Sequence, residues 1–132
     1  MQSNENNKLK TRSDLRSQFP VLNYQENGNQ IVYLDNGATN CILTSGGEGS
    51  IFINKNQYII TPAFDIDVVD TTGCGDAFDA GIITSLIKGF DLEKSLLFAT
   101  ATSGLVATGL GSDAGIVDFD DTMEKMKTLK HK

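Results

Sequence analysis

Asp70-Thr71-Thr72-Gly73-Cys74-Gly75-Asp76 runs straight into Ala77-Phe78 and a helical pattern. Beyond the turn, Phe78, Ile82, Ile83, Leu86 and Ile87 recur at helical spacing and predict one apolar face, closed by Gly89. Gly73 and Gly75 let the backbone bend until successive N–H groups face one concavity. At a helix N-terminus such a nest favours an anion, because orphan donors and the helix dipole both attract negative charge. Asp76 stands at the same end. A carboxylate beside an anion hole suits phosphoryl transfer, in which a hydroxyl is positioned, its proton accepted and the transferred group's charge stabilised. The same spacing also fits a plain glycine turn before an Asp-capped helix.

Strand signals lie upstream of this turn and helix signals downstream. Ile31-Val32-Tyr33-Leu34 and Cys41-Ile42-Leu43-Thr44 read as strands, the second closed by Ser45-Gly46-Gly47. Ile51-Phe52-Ile53 and Tyr58-Ile59-Ile60, joined by Asn54-Lys55-Asn56, read as a hairpin that Pro62 ends. After the turn, Asp91 caps a second predicted helix with Leu92, Leu96, Leu97, Ala101 and Leu105 on its apolar side. Asp121-Thr122-Met123-Glu124 has capping-box spacing ahead of Met123, Met126 and Leu129. Strands first and helices after them fit one edge of an α/β layer fold. Residues 1–13 read as a disordered arm, 14–40 as a short separate segment in which Ser13 or Asp14 caps a helix, and 41–130 as the main region.

Composition narrows the function. The chain has 132 residues, 39% of them hydrophobic, which is enough for one domain with a core. The net charge of −6 argues against nucleic acid and anionic membrane as partners, and no segment has the apolar length of a membrane span. Cys41 and Cys74 are too few for a disulfide framework, so the expected compartment is the cytoplasm. The one histidine, His131, sits beside the C-terminus, which argues against a Ser-His-Asp triad or a histidine zinc site. No Walker A lysine and no G-x-G-x-x-G is present, and both arginines, Arg12 and Arg16, precede residue 40. A nucleotide site here must rely on backbone N–H groups, lysines and a metal ion.

The turn, with Ala80-Gly81 behind it, resembles the signature of the ribokinase-like (PfkB) carbohydrate kinases, with Cys74 where that pattern usually has Ala. Leu43-Thr44-Ser45-Gly46-Gly47-Glu48-Gly49-Ser50 resembles the family's strand and nucleotide-side loop. Pro62 to Val69, Asp91 to Ala99 and Gly109-Leu110-Gly111-Ser112 resemble its flanking stretches, so the likeness covers residues 41–128. It implies the C-terminal portion of a layered, Rossmann-like α/β domain. It also implies transfer of a phosphoryl group from ATP, with Mg²⁺, to a hydroxyl of a sugar, nucleoside or similar small molecule. By position, Asp76 resembles the catalytic base, and Gly73, Cys74 and Gly75 resemble the anion hole. Thr44, Gly46, Gly49 and Thr100 fall along the nucleotide; Thr100 stands where the family often has Asn. Asp70 and Thr72 fall where some members hold a monovalent cation such as K⁺, and they read equally as braces for the turn. Cys74 reads either as a thiol of lowered pKa at a helix N-terminus or as a small apolar substitute for Ala.

Phe19-Pro20-Val21-Leu22, Asn27-Gly28 and Val32 to Thr39 resemble the start of a class V aminotransferase of the cysteine desulfurase type. The pyridoxal phosphate lysine and catalytic cysteine of that family have no counterpart after residue 40, so a pyridoxal enzyme is disfavoured. Complete ribokinase-like enzymes are about twice this length. Two readings therefore stand: a sugar or nucleoside kinase, or a truncated or fused fragment that binds nucleotide weakly or serves as an interaction module. Either reading expects self-association or a missing N-terminal half to cover the exposed sheet.

Overall fold

The structure is a computed structural model that describes residues 32–132. The arm at 1–13, the helix expected before Pro20 and the Asn27-Gly28 turn lie outside the described residues. The chain forms two compact units, one ending at Ile60 and the other running Thr61–Lys132.

The described part of the first unit opens with a helical turn, α1 (Val32–Asp35), where the apolar run predicted a strand. The reason lies just past it. Ala38 N donates to Tyr33 O at 2.9 Å and Gly37 N to Leu34 O at 3.2 Å. These are the two bonds of a Schellman helix ending, and Gly37 supplies its positive φ of 101°. The glycine turns the chain back before an extended ladder can form.

Three strands follow: β1 (Asn40–Thr44), β2 (Ser50–Asn54) and β3 (Tyr58–Thr61), in the order β1-β2-β3. β1 and β2 pair antiparallel, with Cys41 opposite Ile53 and Leu43 opposite Ile51. The short link between them dictates this direction. A five-residue link, Ser45–Gly49, is too short for the crossover that parallel strands need. Period-2 alternation puts Cys41, Leu43, Ile51 and Ile53 on one face, where they meet Leu34, Tyr58 and Ile60. Ile51 is fully buried, and burying such a side chain contributes roughly 1.5–3 kcal/mol. Asn54 forms the turn into β3: its Oδ1 accepts from Asn56 N and Gln57 N, both at 2.9 Å.

The second unit is helical. α2 (Cys74–Ile87) and α3 (Leu92–Val106) form an antiparallel pair, followed by α4 (Phe119–Thr128). α2 ends as α1 does, with Phe90 N donating to Ser85 O at 3.0 Å and Gly89 N to Leu86 O at 3.1 Å. Gly89 takes the left-handed position at φ 74°. Asp91 then caps α3, accepting from Lys94 N at 2.8 Å. α4 is capped by Asp118, whose Oδ1 accepts from Asp121 N at 2.8 Å. The cap therefore falls before the Asp121 box read from sequence, because Thr122 is buried and its hydroxyl donates back to Asp118 O.

The apolar face expected on α2 is not the one that packs. Phe78, Gly81 and Ser85 are buried, while Ile83, Leu86 and Ile87 are exposed. Small size decides this: a Cβ on Gly81 would stand 2.7 Å from Ala99 Cα, so only a glycine lets α2 and α3 approach so closely. Phe90, Phe98 and Phe119 pack around the ends of the three helices, with Phe98 and Phe119 ring centroids 5.2 Å apart. The Nζ of Lys88 lies 4.6 Å from the Phe119 ring centroid. The last residues return beside the first ones of this unit: Asp65 N donates to Lys130 O, Lys132 N to Ala63 O, and His131 stacks on Phe64 at 4.2 Å. The His131 Nδ1–H donates to Pro62 O at 2.9 Å, so the single histidine is a structural clasp.

Candidate functional site

The turn into α2 is held from three directions. Val69 N donates to Ala107 O at 2.8 Å, fixing the incoming chain to the end of α3. Asp70 then organises the turn. Its Oδ1 accepts from Thr72 N at 3.0 Å and from Thr72 Oγ1 at 2.7 Å, and its Oδ2 accepts from Gly111 N at 3.2 Å. These bonds, led by the backbone bond from Thr72, hold the Asp70 carboxyl below the usual aspartate range. From the other side Ser112 lies over Gly73. A Cβ on Gly73 would come 2.6 Å from Ser112 Cβ, and Gly73 holds φ 77°, so glycine is required twice over.

Gly75 behaves differently from its expected role as a second glycine-only bend. It lies inside α2 with no positive φ, and a Cβ built on it meets nothing within 4 Å. What Gly75 leaves is open space in front of the helix end. Cys74 N donates to Thr71 O and Ala77 N to Gly73 O, at 3.2 and 2.9 Å. Between them, the N–H groups of Gly75 and Asp76 have no backbone acceptor among the described residues. The arrangement can therefore offer two first-turn donors to an anion across a surface that carries no side chain. Asp76 is exposed in that same turn.

Cys74 resolves to the plainer of its two readings. Burial raises its thiol pKa above the ordinary value, the Ser103 hydrogen bond works against this, and the Asp70 charge adds to the rise. No lowered, reactive thiol is formed. The contact with Ser103 places Cys74 toward α3, on the packed side of α2.

The other expected residues are distributed as follows. Thr44 ends β1 and is exposed; Gly46 is exposed at φ 47°, opening a single 3₁₀ turn over Gly46–Glu48; Gly49 is buried at φ 94°. Ser45 N donates to Gly49 O at 2.8 Å and closes this loop. The neighbouring Ser50 hydroxyl is buried with no hydrogen-bond partner among the described residues, a feature that no spacing in the sequence signals. Thr100 is buried in α3, and its hydroxyl donates to Leu96 O at 2.7 Å, so that hydroxyl is committed within the helix. Asp70, Thr72, Gly73 and Gly111 are brought together, and Ser112 is a contributor that sequence reading passed over. Its signal was its place in Gly109-Leu110-Gly111-Ser112, one of the stretches that resemble the family. No group of three or more His, Cys, Asp or Glu side chains that could hold a metal ion occurs among the described residues. No helix among them is long and apolar enough to cross a membrane.

Against known proteins, residues 21–118 match the family model of the pfkB family carbohydrate kinases. The match begins inside residues 14–40, the stretch read from the sequence as a separate segment. The chain is 41% identical over 98 residues to the ATP-dependent 6-phosphofructokinase of Thermoanaerobacterium thermosaccharolyticum, covering 74% of this chain and 30% of that protein. It is 34% identical over 92 residues to the nucleoside kinase of Methanocaldococcus jannaschii, covering 69% of this chain and 30% of that protein. Among solved structures, Thermotoga maritima ribokinase superposes with a TM-score of 0.68 at 30% identity, over 73% of this chain and 32% of that one. The aminoimidazole riboside kinase of Salmonella enterica, solved with aminoimidazole riboside and an ATP analogue, gives 0.70 at 25% identity over 83% and 39%. The described chain thus has the α/β architecture of part of a ribokinase-like fold. It spans about 30% of the length of these curated relatives.

Proposed function

Since the chain belongs to the pfkB family of carbohydrate kinases, we propose that the turn from Asp70 to Asp76 serves transfer of the γ-phosphoryl group of ATP to a hydroxyl of a sugar or nucleoside. The observation that carries this is the pair of unspent N–H groups at Gly75 and Asp76, faced by open space and standing beside an exposed carboxylate. In the reaction the substrate hydroxyl gives its proton to the Asp76 carboxylate while its oxygen attacks the γ-phosphorus. The bond from that phosphorus to the bridging oxygen breaks, and ADP leaves with the electron pair. The two backbone donors are assigned to the charge that develops on the transferred group, since fixed N–H groups need no reorganisation to meet it. Asp70 acts through the turn, since both its oxygens are committed to Thr72 and Gly111. That commitment favours the brace over a K⁺ ligand for Asp70 and Thr72.

Thr44 and Gly46, at the surface end of β1, are the residues of the first unit assigned to the nucleotide; Gly49 shapes their loop from beneath. Gly73 and Cys74 form the base of the anion hole. Thr100 is assigned to the nucleotide by its position in the family pattern alone, with its hydroxyl already spent on Leu96 O. The described residues hold no acidic cluster for Mg²⁺, so no step is assigned to a protein-held metal. The expected partners are a small sugar or nucleoside and the portion of kinase fold that this chain does not span.

The test is Asp76→Asn in the chain complemented by that portion. Turnover should fall by about 10²–10⁴-fold, the usual worth of a general base, while ATP affinity changes little. Equal turnover by the two proteins would remove Asp76 from the mechanism. A second reading is a chain that binds nucleotide without turnover. ATP binding by calorimetry with no turnover in any complemented form would select it.

A further inference from the structure

The loop between α3 and α4 presents two groups to the signature turn. Its Gly111 N donates to Asp70 Oδ2 at 3.2 Å, and its Ser112 lies over Gly73. Neither group belongs to a helix or strand, so both are only as well placed as the loop that carries them. The loop leaves α3 at Ala107 and ends at Asp118, the cap of α4. Its two halves lie against each other: a Cβ on Gly109 would stand 2.8 Å from Ala114 Cβ. Gly115, at φ 70°, then brings the returning half onto the end of α3, where a Cβ on it would run into Leu105 O. A shift at Gly115 therefore passes through Ala114 and Gly109 to Gly111 and Ser112.

α4 holds the returning half. Lys125 Nζ donates to Gly115 O at 3.3 Å and meets Asp121 Oδ2 at 2.7 Å. The second ion pair of α4, Lys127 with Glu124, is exposed on both sides and stays on the helix. Lys125 and Asp121 are half-buried instead. Asp121 Oδ2 is closed off from water and accepts no hydrogen bond of regular geometry among the described residues, so the Lys125 ammonium is the charge that offsets it. A carboxylate oxygen shielded from water gives the ammonium a fixed seat. With three donors, that ammonium can hold the carboxylate and the loop carbonyl together.

We propose that Lys125 is a positioning residue for the turn from Asp70 to Asp76: seated on Asp121, it holds Gly115 O and so keeps Gly111 and Ser112 against Asp70 and Gly73. Lys125 acts through the loop and needs no contact with a ligand. Its consequence for ATP affinity rests on the kinase reading; its hold on the turn does not.

The test uses the full 132-residue chain, with amide exchange at Gly111 followed by NMR and affinity for ATP with Mg²⁺ measured by calorimetry. Asp121→Asn combined with Lys125→Met removes the hold without leaving an unpaired charge. Exchange at Gly111 should rise about two- to fivefold, the worth of a partly exposed ion pair, while Ala99 and Ala101 within α3 exchange as before. Lys125→Arg should keep Gly111 protected. Lys127→Met removes the same charge from the same helix and should change nothing at Gly111. Three results would overturn the proposal: a Gly111 amide indifferent to the double substitution, an equal rise throughout α3, which marks lost stability alone, or the same rise in Lys127→Met. Asp121→Asn by itself tests for direct contact with the nucleotide. A positioning Lys125 that loses its seat should weaken ATP binding; tighter binding would mean that the freed ammonium reaches the nucleotide itself, and would also overturn the proposal. A parent chain that binds no ATP, with Gly111 responding as expected, removes the kinase reading and leaves the hold. ATP binding by a chain whose Gly111 ignores the double substitution does the reverse.

Discussion

Gly73 and Gly75, two positions apart, carry different burdens, and substitution should separate them. Gly73→Ala forces a side chain onto Ser112 at a left-handed φ, so it should cost about 1–3 kcal/mol and lower the thermal midpoint. Gly75→Ala meets no atom and keeps a helical backbone, so the fold should hold or gain slightly while ATP affinity falls. A Gly73→Ala protein as stable as the parent would refute the Ser112 contact. Asp70 supplies a pH-dependent term. Its pKa in the fold lies below the ordinary 3.8, so its contribution is present above that value and lost as pH falls through the lowered one. The difference in melting temperature between the parent and Asp70→Asn should therefore shrink as melts are run below pH 3.8. Ser50 is the opposite case. Its hydroxyl is buried without a partner among the described residues, so Ser50→Ala should be neutral or stabilising by up to about 1 kcal/mol in a denaturant titration. Sequence reading found Gly73, because a glycine before an Asp-led helix signals a turn. It misjudged Gly75, because which of two glycines takes the positive φ depends on where the helix begins. Ser50 was beyond its reach, because a lost hydrogen bond is a property of neighbours that spacing does not reveal.

Elements were legible in proportion to how local their causes are. The second and third strands follow from β-branched runs punctuated by Asn54, and α2 and α3 from periodicity closed by Gly89 and capped by Asp91. Val32 to Asp35 failed because apolar strand-formers were weighed without the Gly37 ending beyond them. Gly37→Ala should loosen α1, since Ala resists a φ of 101°, at a cost of about 1 kcal/mol. Faster amide exchange at Ala38, whose N–H closes the ending, is the readout; unchanged protection there would contradict it. The packing face of α2 failed for another reason. Hydrophobicity selected Ile83, Leu86 and Ile87, but contact with α3 selects for smallness at Gly81. Gly81→Val should therefore be among the most damaging single changes in this unit, as overpacking costs about 1–3 kcal/mol or more.

For the whole molecule, the chain holds an intact signature within about 30% of its relatives' length. The surface it exposes is correspondingly apolar at Val68, Val69, Ile83, Leu86, Ile87, Leu110 and Val117. The isolated chain should bind a hydrophobic dye, and combined Ile83→Lys and Ile87→Lys should reduce that signal measurably. Dye fluorescence unchanged by the pair would mean that other residues hold the dye. No sequence pattern could have said which elements go uncovered, since exposure depends on tertiary packing rather than on local spacing. The trio Phe90, Phe98 and Phe119 offers a way to watch the helical unit. The chain has no tryptophan, so Phe119→Trp would create a single indole emitter where α2, α3 and α4 converge. With Lys88 over its ring, its emission colour and intensity would follow the parting of those three helices in one optical channel, free of background from any other indole.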